Sequence, residues 1–132
     1  RPADAIAALE KLVAAPRLAA PEVREVLADT LARIAELRSS PAGGMLFDEA
    51  VEDVNKGLKL AVARTHFRGR LHEVLGVVEK RRFEQLLKDG DDAAAQKAKE
   101  RSIKAFQAAI EIQDEVIRKA LAGAAPAGSS AP

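Results

Sequence analysis

The sequence predicts an all-α protein, an antiparallel bundle of four to five helices. Ala, Leu, Glu, Lys and Arg dominate, and these residues are the strongest helix formers because they lose little side-chain freedom in a helix. Residues that favour strands are scarce, since the chain has no Trp or Tyr and only four Phe. Prolines and Gly/Ser clusters separate segments whose apolar residues recur with the helical period, which indicates helices joined by turns.

Prolines mark the first two helices. Pro2 suits the first turn of a helix, where a missing N–H costs nothing, and the first helix is predicted over residues 3–15. Pro16 and Pro21 bracket a connector, because the residue before a proline is pushed out of the helical region. The second helix begins at Pro21 and ends in the turn-forming run 39–44. Its apolar residues follow the i, i+3, i+4, i+7 pattern of an amphipathic helix: Val23, Val26, Leu27, Leu31, Ile34 and Leu37.

The long segment 47–88 contains no proline, yet its apolar residues change face. Val51 and Val54 lie on one side at 100° per residue, whereas Leu71 and Val78 lie roughly opposite. We therefore favour a break near residues 65–69, which gives five helices. A continuous rod would instead leave a bundle of three arms.

The segment 89–92 reads as a turn between two helices. Gly90 can adopt the left-handed conformation that ends a helix, and Asp91 or Asp92 can cap the next one. The last helix is predicted from Asp92 to Leu121, with its Ala-rich first third at an edge of the bundle. Its apolar residues are expected to form a wide buried stripe: Ile103, Phe106, Ala109, Ile110, Ile112, Val116, Ile117 and Leu121.

The length of 132 residues fits one helical-bundle domain over residues 1–121. Residues 122–132 are predicted to form a flexible Ala/Gly/Pro/Ser tail, because they lack the large side chains that fold a segment. Since the chain begins with Arg1, we expect it to be part of a longer protein. No apolar run approaches the ~18 residues of a membrane span, so none is predicted.

Basic charge is concentrated in one segment. Residues 56–82 hold eight Lys or Arg against two Glu, a net charge of +6, whereas the whole chain carries +1. The segment predicts a contact face for an anionic partner, formed by Arg64, Arg68, Arg70, Lys80, Arg81 and Arg82. The alternative is that these charges pair within the fold with acidic residues of neighbouring helices, such as Glu22, Glu25, Asp29 and Glu36.

The two histidines, His66 and His72, are the candidates for chemistry. Their spacing of six does not place both imidazoles on one helix face, so no metal site is predicted. The segment His72–Gly76 resembles the motif of histidine phosphotransfer domains, which are helical bundles with a glycine four residues after an exposed histidine. Leu75 stands where that family has a lysine. After His66, the basic residue and the glycine each come one place early. The resemblance implies His72, or failing that His66, as a phosphoacceptor.

Nothing in the sequence marks a catalytic constellation or a cofactor site. Cysteine is absent, which excludes thiolate catalysis and disulfides. Acidic pairs fall at predicted helix starts or polar faces, and the serines have no nearby histidine. The sequence predicts a non-enzymatic protein-interaction or scaffolding module that binds a protein partner. A homodimer is one assembly consistent with this prediction. Phosphotransfer and electrostatic nucleic-acid binding are the alternatives, the latter less favoured because no nucleic-acid motif accompanies the basic segment.

Overall fold

A computed structural model of the chain describes residues 1–14 and 20–124, and this part contains five helices and no strand. The helices are α1 (Pro2–Val13), α2 (Pro21–Ser39), α3 (Phe47–Leu60), α4 (His66–Lys88) and α5 (Asp92–Ala124). They pack side by side as a bundle. The predicted all-α class and the five-helix version of the bundle are confirmed.

The break within segment 47–88 lies between Leu60 and His66, a few residues before the predicted position of 65–69, because residues 66–69 form the first turn of α4. The guanidinium of Arg68 stabilises it, because its Nη1 donates hydrogen bonds of 3.0 Å to the backbone oxygens of Leu58 and Ala61. These carbonyls lie at the end of α3, where a helix leaves acceptors without backbone partners. A basic residue of α4 thus caps the helix before it.

Helix α4 lies at the centre of the bundle and packs on both sides. One side meets α2 and α3, where Leu71, Val74 and Val78 are almost fully buried. Small residues of α2 and α3, such as Ala32 and Ala50, complete this core. Among the described helices, α1 packs against α2, and this contact forms a second, smaller apolar cluster.

The other side of α4 holds α5, which contacts no other described helix. The buried residues of α5 are mostly small, which allows the two helices to approach closely: Ala95, Ala98, Ser102, Ala105, Ala109 and Ile112. The Ser102 hydroxyl donates a 2.8 Å hydrogen bond to the backbone oxygen of Gly76. The prediction that the Ala-rich start of α5 lies at an edge is wrong, because Ala95 and Ala98 are fully buried.

The α4–α5 turn has the geometry that its sequence predicts. Gly90 adopts a φ of +81°, and the Ala94 N–H donates a 3.1 Å hydrogen bond to Oδ1 of Asp91. Helix α5 continues to Ala124, three residues into the segment predicted as a tail. The rest of that segment, 125–132, and most of the connector predicted between Pro16 and Pro21 lie outside the described residues.

Candidate interaction surface

Of the six basic residues predicted as a contact face, Arg64 lies in the connection between α3 and α4 and the other five lie along α4. They reach toward different neighbours. Arg68 caps α3, as described above. Arg81 donates from Nη1 to the backbone oxygen of Glu36 and to the Ser39 hydroxyl, both at 2.8 Å, and so holds the end of α2. Both side chains have only part of their surface exposed.

Three more of these arginines form ion pairs with other helices. Arg64 binds Glu115 of α5 through two 2.7 Å hydrogen bonds, which lower the pKa of the Glu115 carboxyl. Arg70 lies 3.6 Å from Asp29 and 3.5 Å from Glu36 on α2, and Arg82 lies 3.0 Å from Asp48 on α3. Lys80, the sixth residue, is exposed.

Two members of the predicted face do come together. Arg70 and Arg81 line an open cleft of about 490 Å³ between α1, α2 and α4. Arg33 of α2, which sequence reasoning did not single out, lines the same cleft, and so does Glu36. The cleft therefore mixes three guanidinium groups with the glutamate that two of them already contact.

A buried carboxylate joins α4 to α5. The side chain of Glu79 is 4% exposed and lies between two arginines, with Arg82 Nε at 2.9 Å and Arg101 on its other oxygen. Burying a charge is costly unless it is paired, and Arg101 supplies one of the two pairs of this carboxylate across the α4–α5 contact. The spacing of Glu79 and Arg82 in the sequence indicated half of the network, whereas Arg101 is 22 residues away.

A second buried carboxylate joins α1, α2 and α3. Arg38 of α2 contacts Asp53 of α3 at 2.8 Å and Glu10 of α1 at 2.5 Å. Burial raises the pKa of Asp53 even though the Arg38 charge opposes that shift. Arg38 thus links α1, α2 and α3 through its two carboxylate partners.

The two histidines occupy different environments on α4. His66 is the first residue of the helix, with its ring 4.1 Å from that of Phe67. His72 is half-buried, and burial, together with the charges of Arg68 and Arg64, lowers its pKa. Both effects favour the neutral imidazole over the charged one.

The glycine that follows His72 by four residues has a packing role. A Cβ at Gly76 would lie 2.7 Å from two ring carbons of Phe106 on α5, a distance at which carbon atoms overlap. Gly76 therefore permits the close approach of α4 and α5. This accounts for the glycine without reference to phosphoryl transfer.

Within residues 1–14 and 20–124, no three His, Cys, Asp or Glu side chains converge in a way that could hold a metal ion. Over the same residues, no helix combines the length and apolarity needed to cross a membrane.

The outer face of α5 carries the most extended exposed apolar surface along one helix. Four residues, which we call the isoleucine stripe, are exposed over about half or more of their surface: Ile103 (47%), Ile110 (67%), Ile117 (57%) and Leu121 (68%). At 100° per residue they lie within an arc of about 40°, centred about 115° away from the residues that pack on α4. The prediction that these four residues are buried is wrong.

The sequence contained a signal for this second face. Ile103, Ile110 and Ile117 recur every seven residues, the spacing of one position in a heptad. The small buried residues of α5 follow a separate heptad pattern on another face. A helix with two such patterns is able to pack on two neighbours, and the described bundle supplies one.

Other exposed apolar residues are scattered over the bundle: Leu12, Met45, Leu46, Leu87 and three valines. Val23 and Val26 of α2 are 43% and 59% exposed, although the pattern of α2 placed both on its buried face. Val62, between α3 and α4, is 69% exposed. Two valines one turn apart cover a much shorter length than the stripe, which spans about 27 Å at 1.5 Å per residue.

Comparison with known proteins does not assign the chain to a family. No protein-family model, no curated protein and no solved structure matches it.

Proposed function

We propose that this chain is a non-enzymatic helical protein-interaction module whose contact face is the isoleucine stripe of α5. The observation that carries the proposal is the exposure of four large aliphatic side chains along one line of a helix. Exposed apolar side chains grouped on one face of a folded protein are typical of a binding site, whereas single scattered ones are not. An apolar stripe with helical spacing is also the pattern by which one helix recognises a groove or another helix.

The framework supports this role because it fixes α5 in place. The Glu79–Arg101 ion pair and the Ser102–Gly76 hydrogen bond both join α5 to α4. Arg64 adds a third link near the far end of the stripe, through Glu115. A contact face held rigid before binding loses less conformational entropy when the complex forms.

The predicted basic face becomes the second candidate surface within the same proposal. An anionic partner would have to replace the existing contacts of Arg64, Arg68, Arg70, Arg81 and Arg82. Each of these arginines already has an oxygen acceptor or carboxylate partner within the fold. Reversing all of their charges would also remove the cap of α3, so binding and stability would change together.

The proposal is tested by site-specific photo-cross-linking. A photoreactive amino acid is placed at position 110, on the stripe, and in a matched variant at position 122, which is exposed about 120° away on the same helix. Incubation with extract from the source cells should give discrete protein adducts from position 110 and none from position 122. Equal labelling at both positions, or no adduct from position 110, would refute the stripe as the contact face.

A second pair of variants separates the apolar and basic surfaces. Ile110→Lys should abolish the adducts formed from a probe at position 117, because it places a charge in the centre of the stripe. Arg33→Gln, which removes an exposed charge from the cleft lined by Arg70 and Arg81 without breaking a contact between helices, should leave them intact. If the opposite pattern appears, the basic cleft is the contact face.

Phosphotransfer is the alternative that a specific observation favours. Burial and the neighbouring arginines lower the pKa of His72 and so favour its neutral imidazole, which is the form that attacks a phosphoryl group. Incubation with a phosphorylated donor protein would then give an acid-labile label that His72→Gln lacks and His66→Gln keeps. Absence of label while the donor remains active would remove this alternative.

A further inference from the structure

We infer that the partner of the isoleucine stripe is a second copy of this chain, bound with its α5 antiparallel and centred on Ile110. This inference rests on the proposed function and identifies the partner of the same surface. Three features of α5 carry it: the spacing of the isoleucines, the polar residues between them, and the position of α4 relative to the stripe.

The isoleucines are self-complementary about Ile110. A two-fold axis through this residue places residue i level with residue 220 − i of the partner subunit. Ile110 then meets Ile110 of the partner subunit, and Ile103 meets Ile117 of the partner subunit. Three apolar layers result, each formed by an isoleucine pair, and they are spaced about 10.5 Å apart at 1.5 Å per residue. Seven-residue spacing is what keeps such layers in line.

Polar residues beside the stripe pair favourably in the same register. Gln107 falls within about 1.5 Å, along the helix axis, of the level of the partner's Asp114, whose carboxylate can accept from the amide. Lys104 falls within about 3 Å of the level of the partner's Asp114. Glu100 falls within about 3 Å of the level of the partner's Arg118. All five of these side chains are exposed in the single chain.

The opposite orientation loses these pairs. In a parallel dimer with a two-fold axis along the helices, Asp114 would lie level with Asp114 of the partner subunit, and Lys104 with Lys104 of the partner subunit. Like charges at one level repel, and in the parallel form every charged residue meets its own copy. In the antiparallel form, Lys104 lies as close in level to the partner's Arg118 as to the partner's Asp114, and the two copies of Glu111 lie within about 3 Å of one level. Like-charge contacts are nevertheless fewer than in the parallel form, and opposite charges offset them. Charge complementarity therefore selects the antiparallel form.

The rest of the bundle leaves room for the contact. Helix α4 packs about 115° around α5 from the stripe, and no other described helix contacts α5. The stripes of two subunits can therefore meet while each α5 stays packed on its own α4. The three isoleucine layers of the resulting α5–α5 contact would extend over about 21 Å, from Ile103 to Ile117.

The natural absence of cysteine permits a test of both the dimer and its register. Single cysteines are introduced at positions 103, 110 and 117, and each purified protein is oxidised under mild conditions. Ile110→Cys alone should form a disulfide dimer. Ile103→Cys alone should stay monomeric, since its two copies would be about 21 Å apart along the axis. A mixture of Ile103→Cys and Ile117→Cys should give the mixed dimer.

Sedimentation equilibrium of the unmodified chain, from roughly 1 μM to 1 mM, should show self-association to twice the mass of 14.1 kDa. Ile110→Lys should weaken association at least tenfold, whereas the matched Ala122→Lys, off the stripe, should leave it unchanged. Both variants alter exposed positions, so circular dichroism should report the same helix content as the unmodified chain.

The outcomes separate this inference from the proposed function. A chain that stays monomeric at the highest concentration would overturn the antiparallel self-association, and so would a disulfide homodimer of Ile103→Cys as abundant as that of Ile110→Cys. If a monomeric chain still labels a different protein from position 110, the interaction module stands with another partner. If position 110 labels nothing, including a second copy, both are wrong.

Discussion

Substitution of Gly76 by alanine places a methyl group where the ring of Phe106 lies, so it tests the close approach of α4 and α5. The new Cβ would be 2.7 Å from Cδ1 and Cε1 of the ring and 2.8 Å from Cγ. Carbon atoms attract best at about 3.5–4.0 Å, so the overlap approaches 1 Å at three atoms together. The ring must move, and α5 or the Phe106 side chain moves with it.

Two opposing effects set the magnitude. Overpacking of this kind costs about 1–3 kcal/mol. Alanine in place of glycine within a helix stabilises the folded state by about 1 kcal/mol. The net expectation is a decrease of about 1 kcal/mol in the free energy of unfolding, within a range of about 0–2 kcal/mol.

Removing the ring should reverse the sign. In a Phe106→Ala background the three nearest atoms, all of the ring, are absent, so Gly76→Ala should raise the free energy of unfolding by about 1 kcal/mol. The coupling between positions 76 and 106 in this double-mutant cycle should equal the overpacking cost of about 1–3 kcal/mol.

The measurement is urea unfolding followed by far-UV circular dichroism for the four proteins of the cycle. Gly123→Ala is the matched control, because a Cβ there meets nothing within 4 Å. It should be neutral or slightly stabilising in both backgrounds. If Gly76→Ala gives the same change with and without the Phe106 ring, the ring does not pack over Gly76 and the description of the α4–α5 contact is wrong.

Three further predictions concern single side chains. Arg68→Ala should lower the free energy of unfolding by about 2 kcal/mol, because two carbonyls at the end of α3 lose a charged donor, whereas Lys80→Ala, at an exposed position, should change it by less than about 0.5 kcal/mol in the same urea assay. Burial lowers the pKa of His72 below 6.5, so the folded state binds its proton less readily than the unfolded state and stability should fall as the pH drops below that value. In urea midpoints measured from pH 7 downward, the fall of stability caused by His72 should be absent from His72→Gln and present in His66→Gln. An unchanged pH profile in His72→Gln would show that another group causes the fall. Burial raises the pKa of Asp53 above 3.8, so its contribution to stability is present below that pH and is lost as the pH rises through the folded-state pKa. The effect of Asp53→Asn on the free energy of unfolding should therefore be more favourable to the folded state at pH 7 than in acid. A difference of the opposite sign would show that the Arg38 pair outweighs burial.

Local features of this fold could be read from the sequence because neighbouring residues determine them. Gly90 and Asp91 end one helix and begin the next through their own conformations and hydrogen bonds, whatever packs around them. The change of apolar face between Val54 and Leu71 predicts a break, since one straight helix cannot present both faces to one core. The bounds of the helices followed largely from such signals.

The tertiary structure alone decided which faces are buried. Periodicity shows that α5 has an apolar line through Ile103 and Ile110, but it does not show what covers that line. The seam with α4 uses alanines and Ser102 instead, because small side chains let the two backbones come close enough for the Gly76 contact. The larger aliphatic residues of α5 lie on its outer face.

The same distinction applies to the basic segment. Its charge could be counted from the sequence, but the acceptors of Arg68 and Arg81 are backbone oxygens at the ends of other helices, and the partners of Arg64 and Arg70 lie 34 to 51 residues away. The sequence by itself determined the helices, their turns and the presence of two heptad patterns on α5. Only packing decided which pattern meets α4, because burial depends on side-chain volumes and charges brought together from distant parts of the chain.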